Sequence, residues 1–290
     1  MKKSAIFIFL CFSYAFAQQN AKTDDLKTIL HSAGNYCNKM KDIALYYVAK
    51  ERIEDTKYIY RTEAESSHGY EASQPETLNS TISSKKSLVR ETKKRTQTYD
   101  YQLISRNDGY EEKRTLVEEN GKKKHQENAR LTGLPFVSEK LVFGPVGFLS
   151  SYWQDYFRYE ILGNEAIGER SCLIVKATPK KPPEEMEGNS KVARIWLDEK
   201  DHCILRIEVE ARSIQGFKEE NVEISNTNLK HTVICRTEYD VEKNGIRFPG
   251  KQVFRDVLLN PKTEDQVVLE EITYTYSDYK FFIVGVEVKY

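Results

Sequence analysis

From Ile43 onward the chain is a succession of short runs rich in β-branched and aromatic residues, each closed by a turn signal. Alternation at period two places every second side chain on the same face of a strand. The runs fall at 43–60, 86–106, 110–119, 156–162, 170–178, 191–198, 203–211, 228–239, 246–258 and 266–279, with a last candidate at 281–289. Asn107-Asp108-Gly109, Asn120-Gly121, Gly163-Asn164 with Gly168, Asp198 to Asp201, Asn244-Gly245 and Asn260-Pro261 punctuate them. Glycine in such turns admits the positive φ that a tight hairpin requires. The pattern predicts a mainly β chain, folded as an antiparallel sheet, barrel or sandwich. The polar stretches 63–84 and 212–226 read as long loops.

One segment breaks this pattern. Over 24–41, Leu26, Ile29, Leu30, Ala33, Cys37 and Met40 recur at spacings of three and four. That spacing predicts an amphipathic helix. Thr23 caps its start, and Asp24 and Asp25 suit the positive end of the helix dipole. The apolar stripe must be buried, and the following sheet is the available partner.

The N-terminus predicts export. Lys2 and Lys3 precede an apolar run from Ala5 to Phe12, and Ala15-Phe16-Ala17 stands before Gln18. This is the layout of a secretory signal peptide covering 1–17, with 18–290 as a single β-rich domain. The expected location is periplasmic or secreted. No second apolar run of membrane length follows, so no integral membrane span is expected after cleavage. Lys+Arg and Asp+Glu both total 44, which gives nucleic acid nothing to be attracted by.

Catalytic and metal motifs are missing from the sequence. The histidines, His31, His68, His125, His202 and His231, lack metal-ligand spacing. His202 beside Cys203 is a weak dyad candidate, since adjacent strand residues point to opposite faces, and a turn histidine beside a buried cysteine is the favoured reading. There is no nucleophile elbow, phosphate loop or dinucleotide fingerprint. The reading is a non-enzyme without cofactor or metal.

Export permits disulfides among Cys37, Cys172, Cys203 and Cys235. Pairing 203–211 with 227–235 about a loop centred on 219 sets Leu205 opposite Val233 and Glu208 opposite Lys230. The same register sets Cys203 opposite Cys235, either as a disulfide or as two facing thiols.

Residues 131–157 are the most apolar part of the mature chain, interrupted by Gly133, Pro135, Gly144, Pro145 and Gly147. Two readings are open. In one, Phe136, Leu141, Phe143, Phe148, Tyr152 and Trp153 line an apolar cavity in a curved sheet. In the other, the segment plugs the sheet and completes the core.

The stretch 162–210 contains "LGNEAIGERSCLIVKATPKK" and then "ARIWLDEKDHCILRIEVE", and "EYDVEKNGIRFPGKQVF" follows. This order of strands and turns resembles the bacterial lipoprotein-carrier (LolA-like) superfamily. The resemblance implies a curved antiparallel half-barrel, with the N-terminal helix and a short helical or loop segment packed on its concave face. It also implies an apolar cavity for acyl chains. The function expected first is binding of a lipid or other hydrophobic ligand in that cavity. The alternative is an envelope protein-protein interaction or sensing module with a filled core.

Overall fold

The protein is described here from a computed structural model, over residues 25–43, 46–60, 89–106, 109–137, 141–180, 192–211, 230–260, 262–263 and 265–282. The expected signal peptide at 1–17, both long polar stretches and the tail beyond 282 lie outside these residues.

Among the described residues eleven strands form one antiparallel sheet. They are β1 (Tyr46–Tyr60), β2 (Val89–Arg106), β3 (Gly109–Glu119), β4 (Lys122–Gln126), β5 (Phe157–Ile167), β6 (Arg170–Pro179), β7 (Val192–Asp198), β8 (Ile204–Ala211), β9 (Lys230–Glu238), β12 (Lys251–Leu259) and β13 (Gln266–Phe281). A separate hairpin pairs β10 (Val241–Lys243) with β11 (Ile246–Phe248). The sheet order is β4-β3-β2-β1-β13-β12-β9-β8-β7-β6-β5. Two meanders thus meet where the last strand pairs with the first. Among the described residues the sheet does not close, and its form is a curved half-barrel.

Turn chemistry explains the hairpins. Asn120 and Gly121 join β3 to β4 with φ of 50° and 75°, and Asn244 and Gly245 join β10 to β11 with φ of 54° and 72°. Both have positive φ at each central residue, as a two-residue hairpin turn demands. Gly163 departs from the sequence reading. It lies inside β5, where the register shifts between Ile161 and Gly163, so it marks a bulge and not a turn. The expected strand 246–258 is likewise two strands, divided at Pro249-Gly250. Pro249 has no amide hydrogen to donate to a ladder.

The predicted helix spans residues 25–43 and is α1. Ile29, Leu30, Ala33, Tyr36, Cys37 and Met40 are buried along one stripe. They pack on the concave face with Tyr47, Leu103, Ile195, Leu197 and Phe248. Gly34 permits the approach, since a Cβ there would lie 3.3 Å from the Leu149 carbonyl oxygen. Gln154 donates to the carbonyls of Leu30 (2.8 Å) and Leu149 (2.6 Å), tying α1 to the segment after β4.

The β8–β9 register corrects the expected cysteine pairing. Arg206 opposes Glu238 and Cys235 opposes Val209, a slip of six residues from Cys203 opposite Cys235. Cys203 lies before β8 in the turn after β7, and both cysteines are free thiols. An even slip keeps every side chain on its face, so the apolar pattern that suggested the register fits either alignment.

Candidate functional site

Three short helical turns follow β4: a 3₁₀ turn (Leu141–Phe143), α2 (Val146–Leu149) and α3 (Ser151–Gln154). The concave face beneath them holds two apolar clusters. Val142, Val146, Phe148 and Leu149 join the cluster under α1. Phe136 and Leu141 join the other, with Ile53, Tyr99, Leu116, Phe254 and Tyr274, and Leu131 and Leu134 pack against it. The Phe136 ring stacks on Phe254 at 5.8 Å, and its carbonyl accepts the Tyr274 hydroxyl at 2.9 Å.

The six residues proposed from sequence as a cavity lining are therefore dispersed. Phe136 and Leu141 are buried in one cluster, and Phe148 is buried in the other against Phe157 at 5.5 Å. Phe143 is half-buried against Tyr110 at 4.3 Å. Trp153 is half-buried and Tyr152 is 66% exposed.

Between the clusters runs a polar bridge that the sequence reading missed. Glu51 of β1 is fully buried. Arg114 of β3 donates to it through Nε at 2.6 Å and Nη2 at 3.1 Å, and the Tyr276 hydroxyl of β13 adds a bond of 2.8 Å. The Arg114 guanidinium lies 4.8 Å from the Tyr101 ring centre and 3.6 Å from Glu112. Tyr101 donates to Glu112 at 2.5 Å. Burial opposes the guanidinium charge, yet Glu51 and Glu112 hold it protonated beyond its ordinary range. The sequence carried one signal: Glu51 falls in phase with Tyr47, Ala49 and Ile53, on the buried face.

Two other ionisable clusters have structural explanations. Asp198, Asp201 and Cys203 bring their ligand atoms within 4.8 Å of one another. Asp198 already accepts the Lys200 amide at 2.8 Å and Arg170 at 2.9 Å, while Asp201 accepts the Cys203 amide at 2.9 Å. Burial pushes the Cys203 thiol up to about 12. These groups are engaged in shaping the β7–β8 turn, and the thiol stays protonated. At the other end, Glu270 of β13 is pushed up to about 7 by burial and by its bond with Asp55 of β1, against the pull of Lys57 at 3.5 Å.

The sheet margin at β5 differs from the filled interior. Among the described residues β5 pairs only with β6. Beside its start, the rings of Tyr152, Trp153 and Tyr156 form a triad with centres 5.0, 5.8 and 5.3 Å apart. Leu162, at the bulge, is 46% exposed. An open edge offers backbone amides and carbonyls to an added strand, and exposed aromatic rings supply the apolar contact.

Among the described residues no helix is long and apolar enough to cross a membrane. No family model matches the chain, and no curated protein matches it. Solved structures do. A domain from Vibrio parahaemolyticus described as an outer membrane lipoprotein-sorting protein is 12% identical, with 87% of this chain and 93% of that one covered and a TM-score of 0.37. A DUF1329 family protein from Desulfovibrio piger is 9% identical, with 89% and 95% covered and a TM-score of 0.34. A LolA superfamily protein from Nitrosomonas europaea is 10% identical, with 90% and 96% covered and a TM-score of 0.34. The likeness is one of fold alone and carries no argument about ligand or activity.

Proposed function

We propose that this chain is an exported, non-enzymatic interaction module that binds a polypeptide along β5 and the adjoining aromatic triad. In this reading residues 1–17 are removed, and 18–290 form a single domain acting in the periplasm or outside the cell. The observation that carries the reading is the occupied concave face. The side chains best suited to line an acyl cavity, Phe136, Leu141 and Phe148, are packed into the protein's own core. A lipid carrier needs that volume for its cargo. Binding at an edge instead draws on main-chain hydrogen bonds, with aromatic anchors adding affinity.

The test places a photo-reactive amino acid at Leu162 in the cell that exports the protein, with Lys124 of β4 as the control site. The expected result is polypeptide adducts from Leu162 and none from Lys124. In parallel, the purified mature protein is extracted with organic solvent. Lipid recovered in equal proportion to protein, and lost on Trp153→Asp substitution, would return the assignment to a hydrophobic-ligand carrier.

A further inference from the structure

We infer that the strand added at β5 belongs to a second copy of this chain, paired antiparallel about a two-fold axis at Tyr159. This rests on reading the β5 edge as a docking site and names its occupant.

The backbone sets the first condition. The Tyr156 carbonyl accepts the Lys180 amide, on the β6 side. Amide groups alternate in direction along an antiparallel strand. Those of Arg158 and Glu160 therefore face β6, opposite Thr178 and Lys176. Those of Phe157, Tyr159 and Ile161 face outward. A two-fold at Tyr159 sets Tyr159 against its own copy and Phe157 against Ile161 of the second copy. Every outward-facing pair then exchanges hydrogen bonds, and both concave faces remain on the same side.

The side chains set the second. Arg158 and Glu160 are both exposed, and neither has an ion-pair partner among the described residues. In this register Arg158 faces Glu160 of the second copy, and Glu160 faces Arg158 of the second copy. Leu162 falls opposite Tyr156 of the second copy, next to the triad. Slipping the second strand by two residues in either direction centres the contact on Glu160 against Glu160 or on Arg158 against Arg158. Like charges directly opposite are unfavourable, so the charge pattern selects one register. Within the sheet the charged row runs on across the convex face, with opposite charges facing at Glu160–Lys176, Arg194–Glu208 and Glu208–Arg236, and Lys176 against Arg194 as its like-charged step.

The experiment is sedimentation of the mature chain across micromolar concentrations, with Glu160→Arg, Arg158→Glu and the double exchange. Both positions are exposed, and circular dichroism checks that each variant folds. The expected result is a dimer in the parent. Each single exchange weakens it roughly ten-fold, because two attractive pairs become repulsive. The double exchange restores it, since the swapped charges again oppose. A parent that is monomeric throughout overturns the proposal, and so does a double exchange no better than the singles. Adducts from Leu162 onto a different polypeptide, with a monomeric parent, remove the second copy while the docking edge stands. No polypeptide adduct at all removes both.

Discussion

The bridge between Glu51 and Arg114 makes a quantitative claim that mutation can break. Glu51 is fully buried and receives three bonds, two from Arg114 and one from Tyr276. Arg114→Met leaves a buried carboxylate with the Tyr276 hydroxyl alone among the described residues. Removing one partner of such a pair costs about 3–5 kcal/mol. Glu51→Gln strands the guanidinium less severely. Glu112 remains at 3.6 Å, the Tyr101 ring lies 4.8 Å beneath it, and the amide oxygen still accepts a bond, so the cost falls to about 2–3 kcal/mol. Combining the two exchanges removes both charges together, leaves the new amide beside the Tyr276 hydroxyl, and lands within about 2–3 kcal/mol of the parent. The cycle is read from urea denaturation followed by tryptophan fluorescence, with a coupling of at least about 2 kcal/mol expected. Single variants that each cost under about 1 kcal/mol, or costs that simply add in the double, would refute the reasoning.

Two further predictions concern titration and thiols. Glu270 has its folded value near 7 against an ordinary value of 4.5, so its contribution to stability is fully present below pH 4.5 and is lost as pH rises through about 7. Urea midpoints should indicate ~1–2 kcal/mol less stability at about pH 8 than at about pH 5, after allowance for solvent screening. Glu270→Gln should flatten that slope, and an unchanged slope would clear Glu270 of the role. Cys37 and Cys203 are buried, and burial pushes both thiols up to about 12. A thiol reagent at neutral pH should spare them in the folded protein. After denaturation without reductant, Cys37, Cys172, Cys203 and Cys235 should all react; any shortfall points to a disulfide.

What the sequence made legible follows from which physics is local. The helix over 25–43 and the hairpins at Asn120-Gly121 and Asn244-Gly245 depend on spacing and φ, and both are read residue by residue. The β8–β9 register depends on how an intervening segment divides between two strands. Period-two alternation reports a face and not an alignment, so a slip of six residues leaves it unchanged. At Gly163 the same glycine signal serves a bulge as readily as a turn. The Glu51–Arg114 bridge joins strands 63 positions apart and was foreshadowed only by a charge in phase with apolar neighbours. Apolar content marks out the segment 131–157, yet Phe136, Leu141 and Phe148 are buried while Tyr152 is exposed. Whether apolar residues line a cavity or fill it depends on the opposing surface, which periodicity does not describe.

The two margins of the sheet are not equivalent. β4 ends it with Lys122, Lys123, Lys124, His125 and Gln126, all exposed. Lysine along a short margin repels an incoming strand and leaves it poorly matched for pairing. A strand that adds at β5 therefore consumes the one receptive margin among the described residues. If the addition is two-fold symmetric, both outer borders of the joined sheet are lysine-bearing. Growth then terminates at a closed pair instead of propagating into a filament.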